Sequence, residues 1–143
     1  MSRVLVQPYL FFSGRCEEAL AFYEQTLGAR VSMKMRFSES PEPFPDGMVP
    51  AGFENKIMHA SFSVGEMMLM ASDGCDENKG FEGFRLSLSV STENQAEELF
   101  NALAEGGNVD MPLTQTFWSP RYGNVTDKFG VGWMVMVITP PQS

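Results

Sequence analysis

The sequence predicts an α+β fold: two tandem βαβββ modules whose strands form a curved, incompletely closed mixed-sheet barrel. Two observations predict it. The order strand, helix, three strands is read twice along the chain, and residue matches tie the two passes together. Ala19, Phe22 and Tyr23 recur as Ala96, Leu99 and Phe100, 77 positions on, while Gly28, Val31 and Met33 recur as Gly106, Val109 and Met111, 78 positions on. The third consideration is physical. One pass is too short to bury both its helix and its sheet, whereas two passes sharing a core leave a concave sheet surface of the kind that takes ligands. The expected boundaries are 1–72 and 83–139, within one domain spanning 1–143.

Val4 to Phe12 is apolar and aromatic and reads as a strand, with Pro8 placing it at a sheet edge or at a bulge, because proline has no N–H to donate. Ser13-Gly14-Arg15 is a helix start, and Cys16, Ala19, Leu20, Tyr23 and Leu27 then form one helical face, closed by Gly28. Val31, Met33, Met35 and Phe37 alternate with Arg30, Ser32, Lys34 and Arg36, a half-buried strand with a basic, solvated side. Residues Ser38 to Asn55 hold Pro41, Pro43, Pro45 and Pro50, so regular structure is not expected there, and the segment reads as a mobile flap. Ile57–Val64 and Glu66–Ala71 form a hairpin split by Gly65, and Ser72–Glu82 is the central linker.

The second pass opens with a strand over Phe84–Val90. Thr92 and Gln95 make a T-x-x-Q capping box, and Ala96, Leu99, Phe100 and Leu103 carry the helix to Gly106-Gly107. Val109–Phe117, Arg121–Thr126 and Trp133–Ile138 are three further strands.

Composition narrows the function classes. The 143 residues carry a net charge of -8, and the ten Lys and Arg are scattered. Phosphate backbones and anionic membrane surfaces repel such a chain, so neither nucleic acid nor membrane is an expected partner. The apolar N-terminus lacks the features of a signal peptide, and no apolar run reaches the ~20 residues of a membrane span. Cys16 and Cys75 stand in no metal-binding pattern and are expected as free thiols in the cytoplasm.

Three segments carry a family resemblance: PYLFFSGRCEEALAFYEQTLGA, HASFSVGEMMLMASDG and TFWSPRYGNVTDKFGVGWM. The chain resembles the vicinal oxygen chelate superfamily (the glyoxalase, bleomycin-resistance and dioxygenase group), and within it the PhnB-like subgroup, whose relatives are often labelled 3-demethylubiquinone-9 3-methyltransferase. The last segment is the most specific, with Trp118, Tyr122, Gly123, Asp127, Phe129, Gly130 and Trp133 at the subgroup's spacing. The resemblance implies a homodimer, in some members with exchanged halves.

It also implies four strand positions that hold a divalent metal in metal-using members. Here those positions are Gln7, Met70, Arg85 and Met134. Only Gln7 is a conventional ligand, and a guanidinium repels a cation. No metal or other cofactor is therefore expected. His59, the only histidine, is either a hydrogen-bonded strand residue or the candidate catalytic group, an acid–base contact in the cavity. Eleven methionines either fill the core or line a soft pocket.

Arg85 is the candidate anchor for an anionic ligand group, with Asp73 or Glu82 as competing buried partners. Trp118 and Tyr122 offer stacking surfaces or wedge the strand connection. Asp73 and Glu66 read as turn residues. The expected function is binding of a small, partly apolar, possibly anionic molecule. The alternatives are a metal-dependent glyoxalase- or dioxygenase-like enzyme, a demethylubiquinone methyltransferase, and a drug-sequestering protein. No Gly-rich turn of the Rossmann type supports the methyltransferase reading.

Overall fold

The computed structural model describes residues 4–74 and 80–138. The chain divides into two compact units, Met1–Gly80 and Phe81–Ser143. The first contains β1 (Tyr9–Phe11), α1 (Cys16–Leu27), β2 (Arg30–Arg36), β3 (Ile57–Val64) and β4 (Met67–Ser72). The second contains β5 (Leu86–Val90), α2 (Glu93–Ala104), β6 (Asn108–Thr114), β7 (Tyr122–Thr126) and β8 (Gly132–Val137).

Each unit has one four-stranded mixed sheet, in the order β1-β4-β3-β2 and β5-β8-β7-β6, and hydrogen bonding does not close the strands into a barrel. The first strand of each unit runs parallel to the last, and the other neighbours are antiparallel. The repeat read from the sequence extends to irregularities. A register shift lies between Val31 and Met33 in β2, and another lies between their matches Val109 and Met111 in β6.

In each unit the helix covers one face of the sheet. Alternation then places every second strand residue in the core. In the first unit Ala60, Phe62, Leu69 and Ala71 are buried with Ala19, Leu20 and Tyr23 of α1, and the Tyr23 and Phe62 rings stack at 6.1 Å. In the second, Val125, Trp133, Val135 and Val137 are buried with Ala96, Phe100 and Leu103 of α2. Gly123 lets β7 approach: a Cβ there would sit 2.9 Å from both the Met111 carbonyl and the Phe100 ring.

Helix α1 has no side-chain cap of its own. Asp73, only 1% exposed, supplies one from the far end of β4. Its Oδ1 accepts from the Gly14 and Cys16 amides at 2.8 and 2.7 Å, and its Oδ2 accepts from Ile57 at 2.8 Å. Asp73 is therefore not the turn residue the sequence suggested, because a distant backbone needed a buried acceptor. Gly28 closes α1 in the left-handed region at φ 67°. Thr92 caps α2 through Gln95, whose side chain reaches back to the Ser91 amide.

The first strand is shorter than expected. Pairing with β4 begins at the Pro8 carbonyl, and Val4, Leu5 and Val6 stand exposed before it. Proline has no N–H with which to carry the ladder further back. The proline-rich segment is mostly irregular, as its composition dictates. It opens with a short 3-10 turn at Phe37–Glu39 and is held by buried Phe37 and Phe53. Cys16 is buried and unpaired, while Cys75 lies outside the described residues. No helix among the described residues is long and apolar enough to cross a membrane.

Candidate functional site

The helix-free face of each sheet carries His59, Met70, Tyr122 and Met134, while Gln7, Arg85 and Trp118 lie just outside the strands. None of the ten methionines among the described residues is buried. Their number is thus not explained by core filling. Met68 and Met70 alternate with buried Leu69 and Ala71 on β4, and Met134 and Met136 alternate with buried Val135 and Val137 on β8. Thioethers therefore sit on the faces turned away from the helices.

On the first sheet, Tyr9 is the register partner of Met70. Its ring stacks on Phe11 at 4.8 Å, and its hydroxyl meets His59 Nδ1 at 2.8 Å. Burial, then the nearby Cys16, pushes the Tyr9 hydroxyl above its ordinary range. This contact occupies one nitrogen of the His59 ring, and its direction follows the ring's tautomer. Gln7 lies two residues before Tyr9, half-buried but outside the strand.

On the second sheet, Arg85 lies just before β5. It folds over Gly132, where a Cβ would be 3.0 Å from Arg85 Cγ. One end of its guanidinium reaches the Val125 carbonyl at 3.3 Å, and the other pairs with Asp110 at 3.0 Å. Asp110 also accepts the Thr126 hydroxyl at 2.5 Å. That hydroxyl first, and Arg85 next, hold the Asp110 carboxyl below the usual carboxylate range. The partner of Arg85 is thus Asp110, rather than Asp73, which is committed to α1, or Glu82. The spacing of Asp110 on β6 gave no sign of this, because the β6 irregularity decides where its side chain lands.

Beside this cluster lies a hollow of about 520 Å³, lined by Phe81, Phe84, Arg85, Thr126, Gly132 and Met134 among others. Tyr122 is the register partner of Met136. Its ring meets Trp118 edge-on at 5.3 Å, and Trp118 meets Phe117 at 4.7 Å. Phe117 is 96% exposed, so this aromatic corner is open rather than wedged. The subgroup residues Asp127 and Trp133 serve the β7–β8 turn. Asp127 accepts from the Phe129 and Val131 amides and from Trp133 Nε1 at 2.9 Å, the last two bonds buried.

Sequence reasoning passed over Asn124. It sits on β7 between core-facing Gly123 and Val125, with Met134 and Met111 as register partners. Its Oδ1 is buried and accepts no hydrogen bond in the protein. A polar residue at the alternate position of a strand flanked by methionines was the available signal.

The donor set does not fit a resident divalent metal. Of the four positions the resemblance implies, two are thioethers, and Arg85 holds its charge against Asp110. Among the described residues, no three His, Cys, Asp or Glu side chains gather at metal-holding distance.

Two mixed βαβββ sheets define a protein of the glyoxalase/bleomycin-resistance fold. A domain of that description from Frankia sp. EAN1pec superposes with a TM-score of 0.65 at 15% identity, covering 99% of this chain and 96% of that one. Residues 5–136 match the family described as 3-demethylubiquinone-9 3-methyltransferase, and the chain belongs to that family, the PhnB-like branch of the vicinal oxygen chelate superfamily. It is 36% identical over 139 residues to protein YjdN of Escherichia coli K12, covering 93% of this chain and 95% of that one. It is 45% identical to protein PA1353 of Pseudomonas aeruginosa, with a TM-score of 0.83 over 95% and 98% of the two chains. The PhnB protein of Bacillus cereus is 25% identical, with a TM-score of 0.77 over 94% and 99%.

Proposed function

We propose that the chain is a small-molecule-binding member of its family that holds a partly apolar ligand against a helix-free sheet face without a resident metal. The observation that carries this reading is the placement of the methionines. A chain with eleven of them buries none among the described residues, and Met134 lines a hollow next to polar groups already fixed in place. Unbranched thioethers reshape around ligands at little cost and are over-used on adaptable binding surfaces. On the first sheet, taken by itself, the candidate ligand contacts are Gln7, Met70 and His59; on the second they are Arg85, Met134, Tyr122 and Trp118. His59 is the group best suited to exchange a proton, since its Nδ1 is occupied by Tyr9. The working unit would be a homodimer in the cytoplasm, which would give exposed Val4, Leu5, Val6 and Phe117 a surface to cover.

The family description names methyl transfer to a demethylated ubiquinone. Two features weigh against carrying it to this chain. The sheets are mixed rather than parallel, and the N-terminus of α1, where a cofactor's anionic group would dock, already holds the Asp73 carboxylate. Thermal unfolding against a panel of small metabolites, with and without chelator, tests the proposal. Stabilisation that survives chelator supports it; no stabilisation by any compound, or stabilisation that chelator abolishes, overturns it. Saturable binding of S-adenosylmethionine would replace it with the methyltransferase reading.

A further inference from the structure

We infer that Asn124 is the polar anchor of the second sheet's binding face, and that the group it anchors is an uncharged hydrogen-bond donor, a hydroxyl or an N–H, rather than an anion. The inference rests on the binding role proposed above. Among the described residues, the Asn124 oxygen is the only buried side-chain nitrogen or oxygen without a partner. Leaving a buried amide oxygen without a protein partner is unfavourable, and leucine would fill the same space without that cost. A site that binds a donor explains the amide; a purely structural position does not.

The neighbours favour access from that face. Asn124 stands directly opposite Met134 of β8, which lines the hollow, and Thr126, the next residue on the same side of β7, lines it too. Its partner across β6 is Met111. Both register partners of Asn124 are thus thioethers, which swing aside more readily than branched or aromatic side chains. Charge selects the ligand class. Among the described residues, the cation lining the hollow is Arg85, which is matched by Asp110 at 3.0 Å, and Asp110 is further tied by Thr126. An incoming carboxylate or phosphate would meet a guanidinium already neutralised and a carboxylate beside it. An uncharged ligand with one donor and an apolar body meets no such repulsion.

Three probes of one shape separate these possibilities: benzyl alcohol, its methyl ether and benzoate, titrated into wild-type protein and Asn124→Leu by heteronuclear NMR. The wild type should bind the alcohol about tenfold more tightly than the ether, and benzoate no better than the ether. Asn124→Leu should melt no lower than wild type and lose the alcohol's advantage. Asn124→Ala serves the same comparison if leucine does not fit. Equal binding of alcohol and ether by the wild type overturns the inference while leaving the binding function standing. So does a preference that survives in the variant, or tightest binding of benzoate. Failure of all three probes to bind the wild type counts against the inference and the proposed function together.

Discussion

Replacing Asp73 with alanine removes the acceptor of three backbone N–H groups at once. Gly14, Cys16 and Ile57 lie 2.7 to 2.8 Å from its carboxylate, and the side chain is 1% exposed, so water cannot take over without opening the structure. Each stranded buried donor costs about 1–3 kcal/mol. The three are neighbours, so the costs do not simply add, and relief of the buried charge offsets part of them. A net loss of about 2–5 kcal/mol is expected, more than one stranded donor costs and less than the full sum of three. Asp73→Asn should lose less: one oxygen can still serve Gly14 and Cys16, but its amide would face the Ile57 N–H donor to donor. Urea unfolding followed by circular dichroism gives the stability, and amide exchange at Gly14, Cys16 and Ile57 localises the loss to the start of α1 and β3. An alanine variant within about 1 kcal/mol of wild type, with those amides still protected, would refute the assignment of Asp73 as the cap.

Glu17 holds Arg36 at 2.6 Å and Lys34 at 3.1 Å, and these bonds, Arg36 foremost, lower its carboxyl to about 2. A depressed carboxyl stabilises the fold above its unfolded value and loses that contribution as pH falls toward 2. Because the pair is half exposed, Glu17→Gln should cost under about 1 kcal/mol at neutral pH, and melting curves of the two proteins should converge near pH 2. Gly123→Ala should destabilise by about 1–3 kcal/mol, since its Cβ would strike the Met111 carbonyl and the Phe100 ring of α2, and a melting temperature equal to wild type would contradict the packing described. Asp110→Asn should uncover the charge of Arg85 and turn the hollow toward anions, read as benzoate binding that rises several-fold and falls with added salt. Unchanged benzoate affinity would mean that Arg85 does not face the ligand.

Much of the fold was legible because it repeats. Helix spacing around Ala19 and Ala96, strand alternation, and Gly28 as a stop are local signals. The 78-residue offset matches Val31 and Met33 to Val109 and Met111, and β2 and β6 each slip register between those matched residues. What stayed hidden depends on long-range contacts. Asp73 is 57 residues from the amide of Cys16, and no local pattern marks a cap supplied from another strand. Arg85 and Asp110 meet only because β6 shifts register before Met111. The candidate site was half legible: the methionines were visible as an excess, but only burial separates a core-filling from a face-lining thioether. Asn124 needed the knowledge that its oxygen has nothing to bind. The subgroup residues Asp127 and Trp133 are a turn and its buried bond, so the most family-specific stretch of sequence reports architecture as much as chemistry.

The placement of ligand is tested most directly with protein labelled at its methionine methyl groups. Titration with benzyl alcohol should move Met134 first, with Met136 and Met111 following along a single saturable curve, while Met48, in the proline-rich segment, stays still. Shifts confined to Met48 or Met33, or no saturable shift at any methyl, would contradict the assignment of the second sheet's helix-free face as the binding surface.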